Sequence, residues 1–265
     1  MDKIVIIPTY NERESITKIL RSIFSLNQGF HILVIDDSSP DGTAQIVKNM
    51  QSEYPGQLFI EERKGKLGLG TAYIHGFKRA IDKDYAYIFE MDADFSHNPA
   101  DLQRLYDACK LDGADVAVGS RYVKGGGNVN WPWERVLLSK GASIYTRLIT
   151  WMPVRDSTAG FVCYRKEVLE AINLDEIKFI GYAFQIEMKF ASWKLGFKIK
   201  EVPIIFEDRQ FGTSKMNKNI VTEGILGVLK LRWHSLFNSY KRRVKSPSET
   251  RKVGKPLSHK VGKSI

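Results

Sequence analysis

The chain has 265 residues, 43% of them hydrophobic, enough for one large α/β domain with appendages. Its two cysteines, Cys109 and Cys163, show neither CxxC nor metal-ligand spacing, which argues against a disulfide framework or zinc ribbon and for a reducing, cytoplasmic setting. The formal net charge of +10 lies from Lys230 onward, where eleven Lys and Arg face one acid, Glu249; the neutral body, with no basic–aromatic alternation on any strand pair, argues against a nucleic-acid binder.

A strand at 4–8 begins almost at once, with no signal-peptide layout before it. Residues 12–26 have helical spacing at Ile16, Ile19, Leu20 and Ile23, and Asn11 is placed to cap that helix. A second strand, 32–35, ends in Asp36-Asp37, and a helix follows from near Asp41. A strand at 58–61, a helix at 71–81 and an apolar strand at 85–91 come next. Pro99 then opens a helix carrying Leu102, Leu105, Tyr106 and Cys109, and 114–119 reads as another strand. This βαβα alternation predicts an α/β fold with a mainly parallel central sheet and helices on both faces.

The second half is less regular. A Gly/Asn-rich loop at 124–130 leads through Trp131-Pro132-Trp133 into a helix over 134–150. A strand at 160–164, a helix at 184–195 and one or two short strands within 198–206 follow. Residues 219–240 carry a stripe at Val221, Ile225, Leu229, Trp233 and Phe237, which predicts an amphipathic helix. Beyond Lys245 the composition collapses to polar and small residues that bury too little apolar area to order themselves. The expected division is a catalytic domain over 1–218, an amphipathic helix over 219–244 that either packs on that domain or lies at a membrane interface, and a basic tail over 245–265. No apolar run approaches the roughly 18 residues that span a bilayer, so a soluble or peripheral protein is expected.

Four segments carry candidate chemistry. Asp92-Ala93-Asp94 follows the apolar strand directly, at the sheet edge where open α/β folds bind ligands. Two carboxylates there invite a cation, and an oxygen-only donor set favours Mg²⁺ or Mn²⁺ over zinc; the same residues would also suit a solvated helix cap. Pro8-Thr9-Tyr10-Asn11-Glu12 and Asp36-Asp37 end neighbouring strands, where a ring can stack on a base and a carboxylate can take ribose or base hydrogen bonds. The loop from Arg63 to Ala72 lacks the full G-x-G-x-x-G and the P-loop Ser or Thr, so it is neither motif, but it can bring cations to a diphosphate. Arg121, and Arg209 with Lys215 on a Gly-containing loop, supply cations suited to phosphate.

In order along the chain, PTYNE (8–12), IDDSSPDGT (35–43), KLGLGTAYIHG (66–76), MDADFSH (91–97), GSRY (119–122), DSTAGF (156–161), GYAFQIEM (181–188) and VPIIFEDRQFGTSK (202–215) resemble family 2 glycosyltransferases of the GT-A fold, and among them the dolichol- or polyprenol-phosphate mannose synthases. The resemblance covers about residues 3 to 217. It implies a GDP-mannose donor whose guanosine is held by Pro8, Tyr10, Glu12, Ile35 and Asp37. Asp92, Ala93 and Asp94 would meet the diphosphate through Mg²⁺ or Mn²⁺, with Arg121, Arg209 and Lys215 around the phosphates. Arg121 and Arg135 would position the acceptor, a polyprenyl phosphate. Some relatives carry Gln where Ser96 stands and use it as a third metal ligand; the shorter Ser96 leaves that ligand open.

A lipid monophosphate has a second pKa of about 6 and is mostly dianionic near neutrality, so it needs no general base. The scattered His31, His75, His97, His234 and His259 accordingly read as structural or exposed. Asp156 and Glu187 read as packing or Arg-orienting groups rather than bases. The expected partner surface is the cytoplasmic face of a membrane, met peripherally through the basic amphipathic helix or through a membrane-anchored partner subunit. Two other functions stay open at this point: transfer from UDP-glucose to the same acceptor, and a silent sugar-nucleotide-binding subunit.

Overall fold

The computed structural model describes residues 1–181, 183–208 and 218–237. Its centre is a seven-stranded sheet with the order β3-β2-β1-β4-β7-β5-β8, formed by β1 (Lys3–Thr9), β2 (His31–Asp36), β3 (Leu58–Glu62), β4 (Tyr87–Glu90), β5 (Val116–Ser120), β7 (Val162–Arg165) and β8 (Ile199–Pro203). Alternate residues of β1 enter opposite cores. Val5 and Ile7 pack under α1 (Ile16–Ser25), α2 (Thr43–Met50) and α4 (Asp101–Lys110), while Ile4 and Ile6 pack under α3 (Leu69–Asp82), α6 (Lys166–Ala171) and α7 (Ala183–Lys194). A strand buried on both faces must be apolar almost throughout, which is why 3–9 and 87–90 read as continuous apolar runs. Gly76 lets α3 lie directly on β1, since a Cβ there would come within 2.5 Å of the Ile6 side chain.

The mainly parallel sheet expected from the sequence is present, with one reversal. β7 runs antiparallel to both β4 and β5 and lies between them. Its first residue, Val162, pairs with Glu90 on one side and Val118 on the other. The loop entering β7 therefore meets the loops leaving β4 and β5 at one edge. A parallel strand in that slot would have delivered the loop to the far side.

Three local expectations are corrected. The first helix begins at Ile16, not near Glu12, and Asn11 does not cap it; Ser15 holds the N-cap position. The reason lies in the neighbouring loop. The amides of Asn11, Glu12 and Arg13 donate instead to Ser39 Oγ, Thr43 Oγ1 and Asp41 Oδ2, so PTYNE is stitched to the β2–α2 turn before a helix can start. The second correction is a parallel two-stranded sheet absent from the sequence reading, β6 (Gly127–Val129) with β9 (Ile205–Glu207). The third concerns α8 (Lys218–Phe237). The stripe residues Ile225, Leu229 and Trp233 face outward, and Val228 and Leu231 are the ones buried, against Ile186, Tyr145 and Ile149. This helix is apolar on two faces, so a four-residue stripe alone could not say which one packs.

The helix α5 (Trp133–Thr150) has the reverse of the usual pattern. It buries Ser143, Thr146 and Thr150 and exposes Trp133, Leu137 and Leu148. Cys109 and Cys163 are both buried and unbridged. No helix among the described residues is long and apolar enough to cross a membrane.

Candidate active site

The carboxyl ends of β1, β2, β4 and β5 form one edge, and the reversal of strand order between β1 and β4 opens the crevice there. Asp92, Ala93 and Asp94 leave β4 at this point. Asp94 is 4% exposed, with Oδ1 accepting the Ser96 amide at 3.0 Å. The Asp92 carboxylate accepts the hydroxyl of buried Tyr73 at 3.4 Å, and its amide donates to Nδ1 of His97 at 3.5 Å. Ala93 turns into the core. The donor set fits a hard divalent cation: two carboxylates, with no thiolate beside them. Among the described residues no three His, Cys, Asp or Glu cluster as a metal site, so such an ion would complete its shell from substrate oxygens and water. Ser96 itself is buried.

The nucleoside-side residues gather at the ends of β1 and β2. Pro8 and Ile35 are register partners, and Tyr10, Glu12 and Asp37 follow within three residues of the strand ends. Ile35 is wholly buried, so its side chain forms the floor and cannot itself touch a ligand. Asp36 is consumed by the turn, accepting Thr9 Oγ1 at 2.7 Å and the Ser39 amide and hydroxyl at 2.8 and 2.6 Å. Asp37 holds the 63–71 loop. Oδ1 accepts Arg63 Nε at 2.7 Å, Oδ2 accepts the Leu67 amide at 3.1 Å, and Arg63 reaches on to Thr71 Oγ1. That loop lays the Lys66 ammonium 4.7 Å above the Tyr10 ring. Arg63, the first cation of the loop expected to serve a diphosphate, is instead spent on the buried Asp37 carboxylate.

Arg121 leaves β5 and is 8% exposed. Asp156 takes its Nε and backbone amide on Oδ2, at 2.8 and 2.9 Å, and its Nη2 on Oδ1 at 2.6 Å, while Thr158 Oγ1 accepts Nη2 at 2.9 Å. Burial works against the charged guanidinium, but Asp156 outweighs it and raises the Arg121 pKa. Both oxygens of Asp156 are thus engaged, and the carboxylate orients Arg121. Glu201 on β8 in turn accepts the amides of Arg155 and Asp156 at 2.8 and 2.9 Å. Glu187 is likewise structural: Oε2 accepts the Lys178 and Phe179 amides, and burial raises its pKa despite those bonds.

Aromatic rings join these groups. His97 stacks on Phe161 with centroids 4.9 Å apart and meets Phe206 edge-on. Phe206 and Trp131 flank Arg121, and Arg135 lies 4.1 Å over Trp131 while pairing with Asp208 at 2.7 Å. Burial brings the His97 pKa down to about 4 against the pull of Asp94, so the imidazole is neutral near pH 7 and serves as a packing piece. The structure therefore brings Asp92, Asp94, Arg121 and Arg135 into one neighbourhood. Arg209 and Lys215 lie outside the described residues.

Comparison with known proteins bears on the family and the fold. The glycosyl transferase family 2 model matches residues 4–172. The chain is 44% identical over 225 residues to the polyprenol monophosphomannose synthase of Mycolicibacterium smegmatis, covering 85% of this chain and 84% of that protein. It is 42% identical over 240 residues to the undecaprenyl-phosphate mannosyltransferase of Micrococcus luteus, covering 89% and 98%. The solved structure of S. aureus TarS 1–349 in complex with UDP aligns with a TM-score of 0.61 at 19% identity, over 90% of this chain and 66% of that one. The Pyrobaculum calidifontis mannosyltransferase PcManGT, in complex with GDP-Man and Mn²⁺, aligns with a TM-score of 0.52 at 16% identity, over 88% and 73%. These two alignments speak for the fold, which is GT-A. With a carboxylate pair and a buried arginine meeting at the edge of such a sheet, and a family model spanning most of it, the chain belongs to glycosyl transferase family 2.

Proposed function

We propose that this chain transfers mannose from GDP-mannose to a polyprenyl phosphate, inverting the anomeric carbon to give a β-linked mannosyl phosphate. The observation that carries the reading is the meeting of Asp92 and Asp94 with the Asp156-held Arg121 at one sheet edge, in a chain 44% identical to a polyprenol monophosphomannose synthase. Pro8, Tyr10, Glu12 and Asp37 take the guanosine end, with Ile35 as the buried floor beneath them. Asp92 and Asp94 would hold Mg²⁺ or Mn²⁺, which when bound would supply Lewis-acid stabilisation of charge on the diphosphate. Arg209 and Lys215 serve the donor phosphates.

Arg121 and Arg135 neutralise and aim the acceptor phosphate. Its attacking oxygen is already anionic, so the protein's work is to hold two mutually repelling anions in line. The experiment is incubation of the full chain with labelled GDP-mannose or UDP-glucose, Mn²⁺ and a short polyprenyl phosphate. A β-mannosyl phospholipid from GDP-mannose alone is expected; glucosyl transfer from UDP-glucose would overturn the donor assignment.

The acceptor's lipid calls for an apolar surface, and α5 and α8 supply one. Tyr145 Oη donates to the Ile225 carbonyl at 3.1 Å, fixing the two helices together. Trp133, Leu148 and Trp151 are each 70% exposed and Trp233 68%. The Arg232 guanidinium lies 4.3 Å over Trp151, a cation beside an interfacial ring. We infer that this face rests on the cytoplasmic leaflet, alone or beside a membrane-anchored partner subunit, with the basic tail adding about 1 kcal/mol per Lys or Arg near anionic lipid. In flotation with anionic vesicles, replacing Trp133, Leu148, Trp151 and Trp233 together by Ser should reduce the bound fraction at least about tenfold. Equal flotation of both proteins would remove this surface from consideration.

A further inference from the structure

Two buried charges lie beneath the site and are used by nothing described so far. Glu90, the last residue of β4, and Lys189, in the middle of α7, are both completely buried. Gln185 stands one helical turn before Lys189, on the same face of α7. Its Nε2 donates to Glu90 Oε2 at 2.5 Å, and its Oε1 accepts Lys189 Nζ at 3.3 Å. The ammonium also donates to the Ala159 carbonyl at 2.6 Å and the Gln185 carbonyl at 3.0 Å. The chain of bonds thus begins two residues before Asp92 and ends one residue after Thr158, the partner of Arg121.

For stability alone this arrangement is a poor choice. Buried ion pairs rarely outdo apolar residues of similar volume, because both charges must be stripped of water. The surroundings are apolar, with Phe184 and Met188 on the same helix filling the same core layer. The compensation is also indirect: Glu90 Oε2 and the Lys189 ammonium are joined through the Gln185 amide rather than by a direct ion pair. What directional bonds supply, and apolar contact does not, is a fixed distance between the elements they join. Here those elements are the strand end bearing Asp92 and the loop that aims Arg121.

We propose that Glu90, Gln185 and Lys189 are positioning residues that lock the donor-diphosphate side of the cleft to the acceptor-phosphate side. The proposal rests on the reading of Asp92 and Arg121 given above. Lys189 also places a buried cation among Glu90, Asp156 and Glu201, opposing the acidic charge of both loops. In-line attack depends on the separation of the two anionic reactants, and a displacement of about 1 Å can cost a hundredfold in rate.

The test compares Lys189→Met with the double variant Glu90→Leu/Lys189→Met. The single change strips the Ala159 carbonyl and Gln185 Oε1 of their buried donor and Glu90 of its balancing cation, and should lower both Tm and activity. The double change removes both charges and should recover most of the lost Tm, the remainder being the buried Gln185 amide left without these two partners. Transfer should nevertheless stay down by about 10- to 100-fold in kcat, with KM for GDP-mannose within about twofold, because the tie is still missing. Amide hydrogen exchange of 92–97 and 156–161 should be at least about tenfold faster in the double variant. Wild-type kcat or unchanged exchange in the restabilised double variant would overturn the proposal, leaving the three residues a purely structural role. If the wild-type chain transfers no mannose, the functional reading fails, and the exchange measurement still decides whether the tie exists.

Discussion

Asp94→Asn should cost about a thousandfold in transfer while leaving the protein folded. The amide side chain can still accept the Ser96 N–H, so the turn after β4 keeps its hydrogen bond and the change is one of charge. Losing a preorganised electrostatic partner for a developing charge costs about 10² to 10³ in rate, and losing a share of a metal site costs more. Wild-type protein in excess chelator should fall to a similar level and recover on addition of Mn²⁺ or Mg²⁺. The Asp94→Asn variant should respond weakly to either ion. Thermal denaturation would verify that the fold is intact. Full transfer in excess chelator would refute the metal assignment, and full activity of the variant would remove Asp94 from the site.

The second large effect is expected at Asp156, which faces Arg121 with side-chain exposures of 0% and 7%. Asp156→Ala leaves a buried guanidinium without its counter-ion, which costs about 3–5 kcal/mol, or a fall in Tm of roughly 10 °C for a chain of this size. Transfer should be lost as well, since nothing then aims Arg121. The paired variant Arg121→Met/Asp156→Leu should recover most of the stability, because both charges are gone, and none of the transfer. Scanning calorimetry with a transfer assay separates the two effects. If Asp156→Ala kept wild-type Tm, the ion pair would not be holding this loop. If the paired variant kept activity, Arg121 would not be an acceptor group.

Both predictions depend on how β7 is threaded. Arg121 and Asp156 stand 35 positions apart, and neither segment advertises the other. A reader of the sequence sees an arginine after a strand and an acid in DSTAGF. The pair forms because β7 enters the sheet antiparallel between β4 and β5, which brings its leading loop to the edge where they end. By contrast, the site's carboxylates were legible directly. An apolar strand followed by Asp-Ala-Asp needs only the continuous apolar run of a doubly buried strand and the edge rule for open α/β sheets to be placed in the crevice.

Where local reading misplaced an element, a distant partner was responsible. PTYNE looked like the start of a helix, but its amides are claimed by the Ser39–Thr43 turn, and the helix waits until Ile16. Asp37 reads as a ligand for a nucleoside; in the fold it also carries Arg63 and the Leu67 amide. Glu90 had a signal that went unused, a single acid inside an apolar strand, since such a residue must find a buried partner. That partner, by way of Gln185, is Lys189, almost a hundred positions away.

The sequence by itself determined the succession of strands and helices, the neutral body with its basic end, and the acids and cations set at strand ends. Those properties follow from short-range periodicity and residue chemistry. Only the tertiary structure decided which strand runs against the others, which face of α8 is covered, and which acid holds which base. Each of these is a contact between segments far apart in the chain, fixed by the sheet order and by the demand that buried charges be paired.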